Sequence, residues 1–167
     1  VFFLFISIST DLIAREEPML SGMRSEIIYS YNSLIDGKVT NELLANYKIY
    51  RDSPNEYWDF LREVFLDNWN FDATIKALLG KEISNSLPRS ELTELSRTLE
   101  ITLLRYAFEI LPFYDNQKLR VIDLKINKQK TFAWLKINMD SPRFPDIHLD
   151  VLLKRTDNNH WNGADFR

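Results

Sequence analysis

Few side chains in this 167-residue sequence belong to the types that carry out chemistry. The sequence has no cysteine, which excludes a disulfide, a thiolate nucleophile and a cysteine metal site. It has two histidines, His148 and His160, which we interpret as solvated surface residues rather than as metal ligands or bases. The sequence also lacks a glycine-rich phosphate loop, a serine nucleophile elbow and an H-E-x-x-H metal motif. We therefore predict no catalytic residue, no metal ion and no cofactor.

Three aspartates are the candidates for acid–base catalysis, because each falls on a predicted strand that could border a cavity: Asp123, Asp150 and Asp165. Asp150 alternates with apolar neighbours, so we expect it on the solvent face of its strand. A structural hydrogen bond is the favoured interpretation for Asp165. An isomerase or dehydratase that uses a pocket aspartate remains an alternative, and so does an interaction module with a filled core.

Composition indicates one soluble globular domain, with 45% hydrophobic and 27% charged residues. The net charge of -3 and the pI of about 5.5 argue against nucleic acid as a partner, because phosphate binding needs a basic surface. Aromatic residues make up 13% of the chain. Such aromatic content can line an apolar pocket or fill a core, and composition does not separate the two.

The N-terminus indicates export. Its apolar run, Val1–Ile8, is too short to span a bilayer but suits the apolar region of a secretory signal peptide. Leu12 and Ala14 fit a cleavage site, while an initiator methionine and a basic first segment are missing. We predict that residues 1–14 are the remnant of a signal peptide and that residues 19–167 form a single domain.

Residues 19–111 show helical periodicity. We expect Asp36 and Gly37 to end the first helix, Gly80 to close the fourth, and Ser86 or Leu87 to cap the longest. The predicted helices are 21–34, 40–50, a third from Pro54, 72–79, and a fifth from Pro88 to Leu111. The apolar stripe predicted for the fifth helix is Leu92, Leu95, Leu99, Leu103, Tyr106 and Ile110.

Residues 118–167 alternate with a period of two, which is typical of strands. The expected strands are Lys118–Ile126, one through Ala133–Met139, one through Ile147–Leu153, and His160–Arg167. The first strand is ambiguous, because Leu119 and Val121 compete for the inner face with Ile122, Leu124 and Ile126. Short polar connections indicate an antiparallel order. The predicted fold class is α+β, with N-terminal helices on one face of a curved antiparallel sheet of about four strands, as in nuclear-transport-factor-like or cystatin-like cones.

A series of short motifs resembles the MlaC (toluene-tolerance) family of periplasmic phospholipid-binding proteins, which serve ABC transporters. The series is Trp69-Asn70-Phe71, Leu79-Gly80, Leu87-Pro88, Tyr106-Ala107, Tyr114–Lys118, Ile147–Lys154, and Trp161 with Asp165. Departures from the family pattern are Asn70, Ile83, Leu87 and Thr98, and we expect a pocket reshaped near Ile83 and Thr98. The family's E-G-V-S motif and final helix are missing after Arg167, which predicts a C-terminal truncation.

The resemblance implies a monomeric periplasmic carrier of a Gram-negative bacterium that binds phospholipid and is not an enzyme. Its partners would be an inner-membrane ABC transporter complex and an outer-membrane lipoprotein complex, in the maintenance of outer-membrane lipid asymmetry. Carriage of a hopanoid or another apolar lipid is the alternative within the same family. Each buried methylene contributes about 0.8 kcal/mol, so acyl chains alone can supply affinity.

The candidate lipid-binding residues come from the apolar faces of the predicted helices and strands. Each of them could equally belong to a filled core, because a cavity wall and a packed core have the same sequence pattern. The candidates are Phe71, Ile75, Leu78, Leu99, Leu103, Tyr106, Leu135, Ile137, Leu149 and Val151.

Overall fold

The computed structural model describes residues 4–141 and 145–167, with side chains from Pro18 onward. It confirms the α+β fold class, with the helices first and the strands after them. The helical elements are α1 (Leu4–Asn32), a π-helix (Ser33–Thr40), α2 (Asn41–Asp52), α3 (Pro54–Asn68), α4 (Phe71–Ser86), α5 (Arg89–Ile110) and a 3-10 turn (Leu111–Phe113). The strands are β1 (Lys118–Ile126), β2 (Phe132–Asp140), β3 (Ile147–Arg155) and β4 (Trp161–Phe166).

The four strands form one antiparallel sheet in the order β1-β2-β3-β4, as the short connections predicted. The α1 helix and the π-helix cover one face of this sheet. Ile27 and Ile35 from these helices pack against Leu124, Leu135 and Val151 from the first three strands. Burial of this apolar surface holds the N-terminal helices on the sheet.

A bulge in β1 resolves the ambiguity over its inner face. Val121 pairs with Ile137 of β2, but the next pair joins Asp123 to Lys136, so Ile122 is an extra residue. The side chain of Ile122 is half exposed. Because the bulge reverses the alternation, Leu119 and Val121 before it and Leu124 and Ile126 after it all contact the same core.

The predicted end of the first helix at Asp36 and Gly37 is wrong. The backbone continues as a π-helix through both residues and passes directly into α2. Ile35 lies buried in the sheet core within this segment, and packing there outweighs the weak helix preference of glycine. Residues 4–14 lie in the first turns of α1, whereas Val1–Phe3 and the side chains of residues 1–17 lie outside the described part. The signal-peptide interpretation stays a prediction.

The boundaries of α4 and α5 also differ from expectation. Gly80 breaks the helix with φ 75° and ψ 166°, but helical structure resumes and runs to Ser86. A positive φ is tolerated here because glycine has no Cβ. The N-cap of α5 is Pro88 rather than Ser86 or Leu87, and no side chain caps the helix.

A second core lies among the helices. Tyr57 and Phe60 of α3 pack there with Leu104 and Leu111 from the C-terminal half of α5 and the turn that follows. The inward face of α5 is therefore rotated from the predicted stripe, and Ile110 of that stripe is 64% exposed. The prediction failed because α5 is apolar around more than half of its circumference. None of the helices in the described part is both long and apolar enough to cross a membrane.

We expect Tyr57 to make stability fall at alkaline pH. Burial raises the pKa of Tyr57 from 10.0 to about 12, because the phenolate is poorly solvated in the helical core. This contribution is complete below pH 10 and is lost between pH 10 and 12, where the unfolded chain ionises first. Tyr57→Phe should flatten the fall in unfolding free energy by up to about 1.4 kcal/mol per pH unit.

Urea titrations from pH 8 to pH 12 measure this effect. At pH 8 the Phe variant should lose about 1 kcal/mol, because the Tyr57 hydroxyl donates to the Ala107 carbonyl at 3.3 Å. The matched control is Tyr29→Phe, since Tyr29 is 77% exposed. Equal alkaline slopes for the two variants would contradict the assignment.

Candidate functional site

The junction between α3 and α4 connects the helical half to the last strand. Trp69 forms an isolated parallel bridge with Gly163 of β4, and the Asn70 amide donates to the Gly163 carbonyl at 2.6 Å. The Asn70 side chain accepts a hydrogen bond from the Ala73 amide at 2.8 Å and so caps α4. Asparagine caps helices as well as aspartate does, so this departure from the family pattern leaves the junction intact.

The indole ring of Trp69 occupies the space beside Gly163. A Cβ built on Gly163 would lie within 2.5 Å of the ring carbon Cζ3, so no side chain fits there. The indole Nε1 donates to the Thr74 hydroxyl at 3.0 Å, and that hydroxyl donates to the Ala164 carbonyl at 2.6 Å. These contacts hold the start of α4 against β4.

A cleft of about 820 Å³ opens beside this junction, among α3, α4 and α5. Its floor is apolar and aromatic, with Leu104 1% exposed and with Trp58, Trp69 and Phe71 partly buried. Its rim is mostly polar and more exposed, apart from the apolar Ile101 and the buried Ser96. The remaining lining residues are Arg62, Asn70, Asp72, Thr93, Ser96, Arg97, Glu100, Ile101 and Asn162.

Charged groups at the rim are partly paired. Arg62 of α3 lies 3.8 Å from the Glu100 carboxylate of α5. The hydroxyl of Ser96, itself 7% exposed, donates to the Asp72 carboxylate at 2.6 Å and ties α5 to the first turn of α4. An apolar floor under a polar rim suits an amphiphile, because the floor removes apolar surface from water while the rim keeps polar groups hydrated.

The structure disperses the sequence-predicted site residues. Phe71 lines the cleft, and Ile75 is buried in α4. Leu135, Ile137, Leu149 and Val151 contact the sheet core under α1. The remaining candidates, Leu78, Leu99, Leu103 and Tyr106, are exposed or half-buried and do not line the cleft. Their lipid-binding role stays a prediction.

Sequence reasoning missed most of the cleft lining. Trp69, Asn70 and Phe71 belong to the motif series, but no prediction covers the other lining residues, such as Trp58 and Leu104. A usable signal was Ser96, a hydroxyl within a leucine-rich helix and facing inward. A buried polar side chain needs a partner, and its partner Asp72 lies in the cleft.

The candidate acid–base residues have structural partners. Asp123 pairs with Arg24 of α1 at 2.7 Å and also accepts from the Leu124 amide. Asp165 accepts from the Phe166 amide at 2.9 Å. Asp150 lies near Lys136 and Arg167. Both histidines are exposed, and the described residues contain no group of His, Asp or Glu side chains that could hold a metal ion.

Comparison with known proteins identifies a solved structure with the same fold. No protein-family model and no curated protein sequence matches the chain. A solved structure of a phospholipid-binding protein from Ralstonia solanacearum, determined in complex with a phospholipid, superposes with a TM-score of 0.69. The chain has the fold of a bacterial phospholipid-binding protein. The match covers 84% of this chain and 76% of the Ralstonia protein, at 13% sequence identity, so it establishes the shared fold. The resemblance that the motifs indicated is confirmed at that level.

Gly163→Ala should destabilise the protein by about 2 kcal/mol or more, because the new methyl group collides with the Trp69 ring. Trp69→Phe should cost a similar amount, through lost packing and the lost Thr74 bond. The double variant should cost at least about 1 kcal/mol less than the sum, because the smaller ring makes room.

Urea denaturation of the natural sequence, the two single variants and the double variant measures this coupling between Trp69 and Gly163. Gly22→Ala is the control, because a Cβ at Gly22 in α1 meets nothing within 4 Å and should stabilise the helix by about 0.5 to 1 kcal/mol. Additive losses in the double variant would show that Trp69 and Gly163 do not constrain each other.

Proposed function

We propose that the chain binds a phospholipid and carries it between membranes, with acyl-chain carbons in the cleft among α3, α4 and α5. Two observations support the proposal together. The fold is shared with a protein determined in complex with a phospholipid, and the cleft of about 820 Å³ lies within the range of small-molecule sites. The apolar floor formed by Leu104, Trp69 and Phe71 is the observation that carries the assignment to this cleft.

The energetics of carriage are adequate without any catalytic group. Transfer of ten methylenes from water to an apolar surface contributes about 8 kcal/mol before the cost of association, so the acyl chains can supply the driving force for binding. The aspartates that would serve an enzyme, Asp123 and Asp165, are engaged in local ion pairs and backbone hydrogen bonds. This favours binding over catalysis.

The cellular role follows from the motif resemblance. An exported carrier in the periplasm would accept lipid from one membrane complex and deliver it to another. In this proposal its partners are an inner-membrane ABC transporter complex and an outer-membrane lipoprotein complex.

Native mass spectrometry tests the proposal on protein purified from a Gram-negative periplasm, together with uptake from liposomes. We expect co-purified phospholipid at close to one molecule per chain. A hopanoid or another apolar lipid in the extract would show that the protein is a lipid carrier with a different ligand. Recovery without any lipid, alongside no uptake from liposomes, would refute lipid carriage.

A matched pair of variants locates the binding site on α5. Ile101 lines the cleft and is 48% exposed, whereas Ile110 is 64% exposed and lies outside the cleft on the same helix. Ile101→Glu should lower liposome uptake about tenfold, because a carboxylate beside the acyl chain must be desolvated. Ile110→Glu should change it less than twofold. A large loss of uptake in Ile110→Glu and a small one in Ile101→Glu would indicate instead that the lipid binds along the stripe of α5 that contains Leu103 and Tyr106.

A further inference from the structure

The rim of the cleft carries two opposite charges that do not pair with each other. Arg97 of α5 and Asp72 of α4 both line the cleft, and neither forms an ion pair with another residue of the described part. The Asp72 carboxylate accepts a hydrogen bond from Ser96, which fixes its position and leaves its charge. Arg62 and Glu100 lie close enough to neutralise each other. Arg97 and Asp72 are therefore the two charged lining residues without an ion-pair partner in the described part.

These two groups suit the two charges of a single ligand. A guanidinium binds phosphate oxygens strongly through parallel N–H donors. A carboxylate binds an ammonium group, and aromatic rings, such as those of Trp58 and Phe71 that line the same cleft, attract quaternary ammonium groups. Apolar ligands and simple anions use at most one of these features.

We infer that the rim recognises a phosphate ester that also carries an ammonium group, as in the headgroups of phosphatidylethanolamine and phosphatidylcholine. The inference rests on the proposed lipid-binding function and adds headgroup selection to it. Arg97 contacts the phosphate and Asp72 contacts the ammonium group. The headgroup of phosphatidylglycerol has the same phosphate but a neutral glycerol in place of the ammonium group, so it leaves Asp72 without a partner and binds less tightly.

Competition between two lipids measures the selection. The full chain is incubated with vesicles that contain equal amounts of phosphatidylethanolamine and phosphatidylglycerol with identical acyl chains, and the bound lipids are quantified by mass spectrometry. We expect the natural sequence to favour phosphatidylethanolamine by about threefold or more. Asp72→Asn should bring that ratio close to one, because it removes the ammonium partner and keeps the side-chain shape.

Two further variants separate charge at the rim from charge elsewhere. Arg97→Gln should lower uptake of both lipids about fivefold, since both carry the phosphate. Asp157→Asn changes the same charge in the exposed turn between β3 and β4, outside the cleft, and should leave the ratio unchanged. Circular dichroism and thermal melting establish that each variant is folded.

The outcomes distinguish this inference from the function on which it rests. Equal binding of the two lipids by the natural sequence would overturn headgroup selection while leaving lipid carriage in place. An Asp72→Asn ratio equal to that of the natural sequence would also overturn it. No uptake of either lipid would refute carriage and the inference together. Calorimetry with soluble phosphoethanolamine tests whether the rim binds this group as part of a lipid or as a free molecule. An affinity equal to that for the lipid would contradict the assignment to a lipid headgroup.

Discussion

The contact between the Trp69 ring and the bare backbone of Gly163 is the constraint on which the site depends. It joins the end of α3 and the start of α4 to the last strand, and the Asn70 amide reinforces it with a hydrogen bond to the Gly163 carbonyl. The same indole forms part of the cleft floor. The Trp69 side chain therefore both holds the junction together and lines the cleft. A substitution that disturbs the junction also changes the shape of the cleft. The described part of the chain has two apolar cores, one under α1 and one among the helices, and this junction lies between them.

The sequence was a good guide to the strands and a weaker guide to the helices, for a physical reason. In β2 the apolar residues alternate with polar or aromatic ones, and Ala133, Leu135 and Ile137 all lie in the core as expected. The inner face of β1 could not be assigned from the sequence, because the bulge changes which residues point inward. One phase of the alternation holds before the bulge and the other holds after it. Periodicity cannot show a bulge, since the extra residue leaves no signal of its own. At Asp36 and Gly37 the local stop signal was genuine, but the buried neighbour Ile35 outweighed it.

The candidate site was harder to predict than the fold. A cleft is defined by residues from separate elements whose side chains converge, and Trp58, Arg62 and Arg97 share no pattern along the chain. The long helix α5 was especially misleading because it has apolar residues on opposite sides, and the regular leucine stripe is half-buried or exposed rather than in the core. Its inward face instead includes Ser96, which hydropathy alone places outside. The motif around Trp69 was noticed through resemblance, and the contacts with Gly163 and Thr74 now supply its physical meaning.

The placement of α1 has a consequence for how the protein reaches its native state. The α1 helix precedes every strand along the chain, yet its apolar side chains Ile27 and Met23 are covered by the sheet. The hydroxyl of Tyr31 donates to the Trp161 carbonyl, 130 positions later. During synthesis, which proceeds from the N-terminus, α1 therefore emerges before the strands that cover it, and its apolar side chains stay unburied until those strands follow. Contacts between residues so far apart along the chain form slowly, and the apolar surface exposed meanwhile is prone to aggregation.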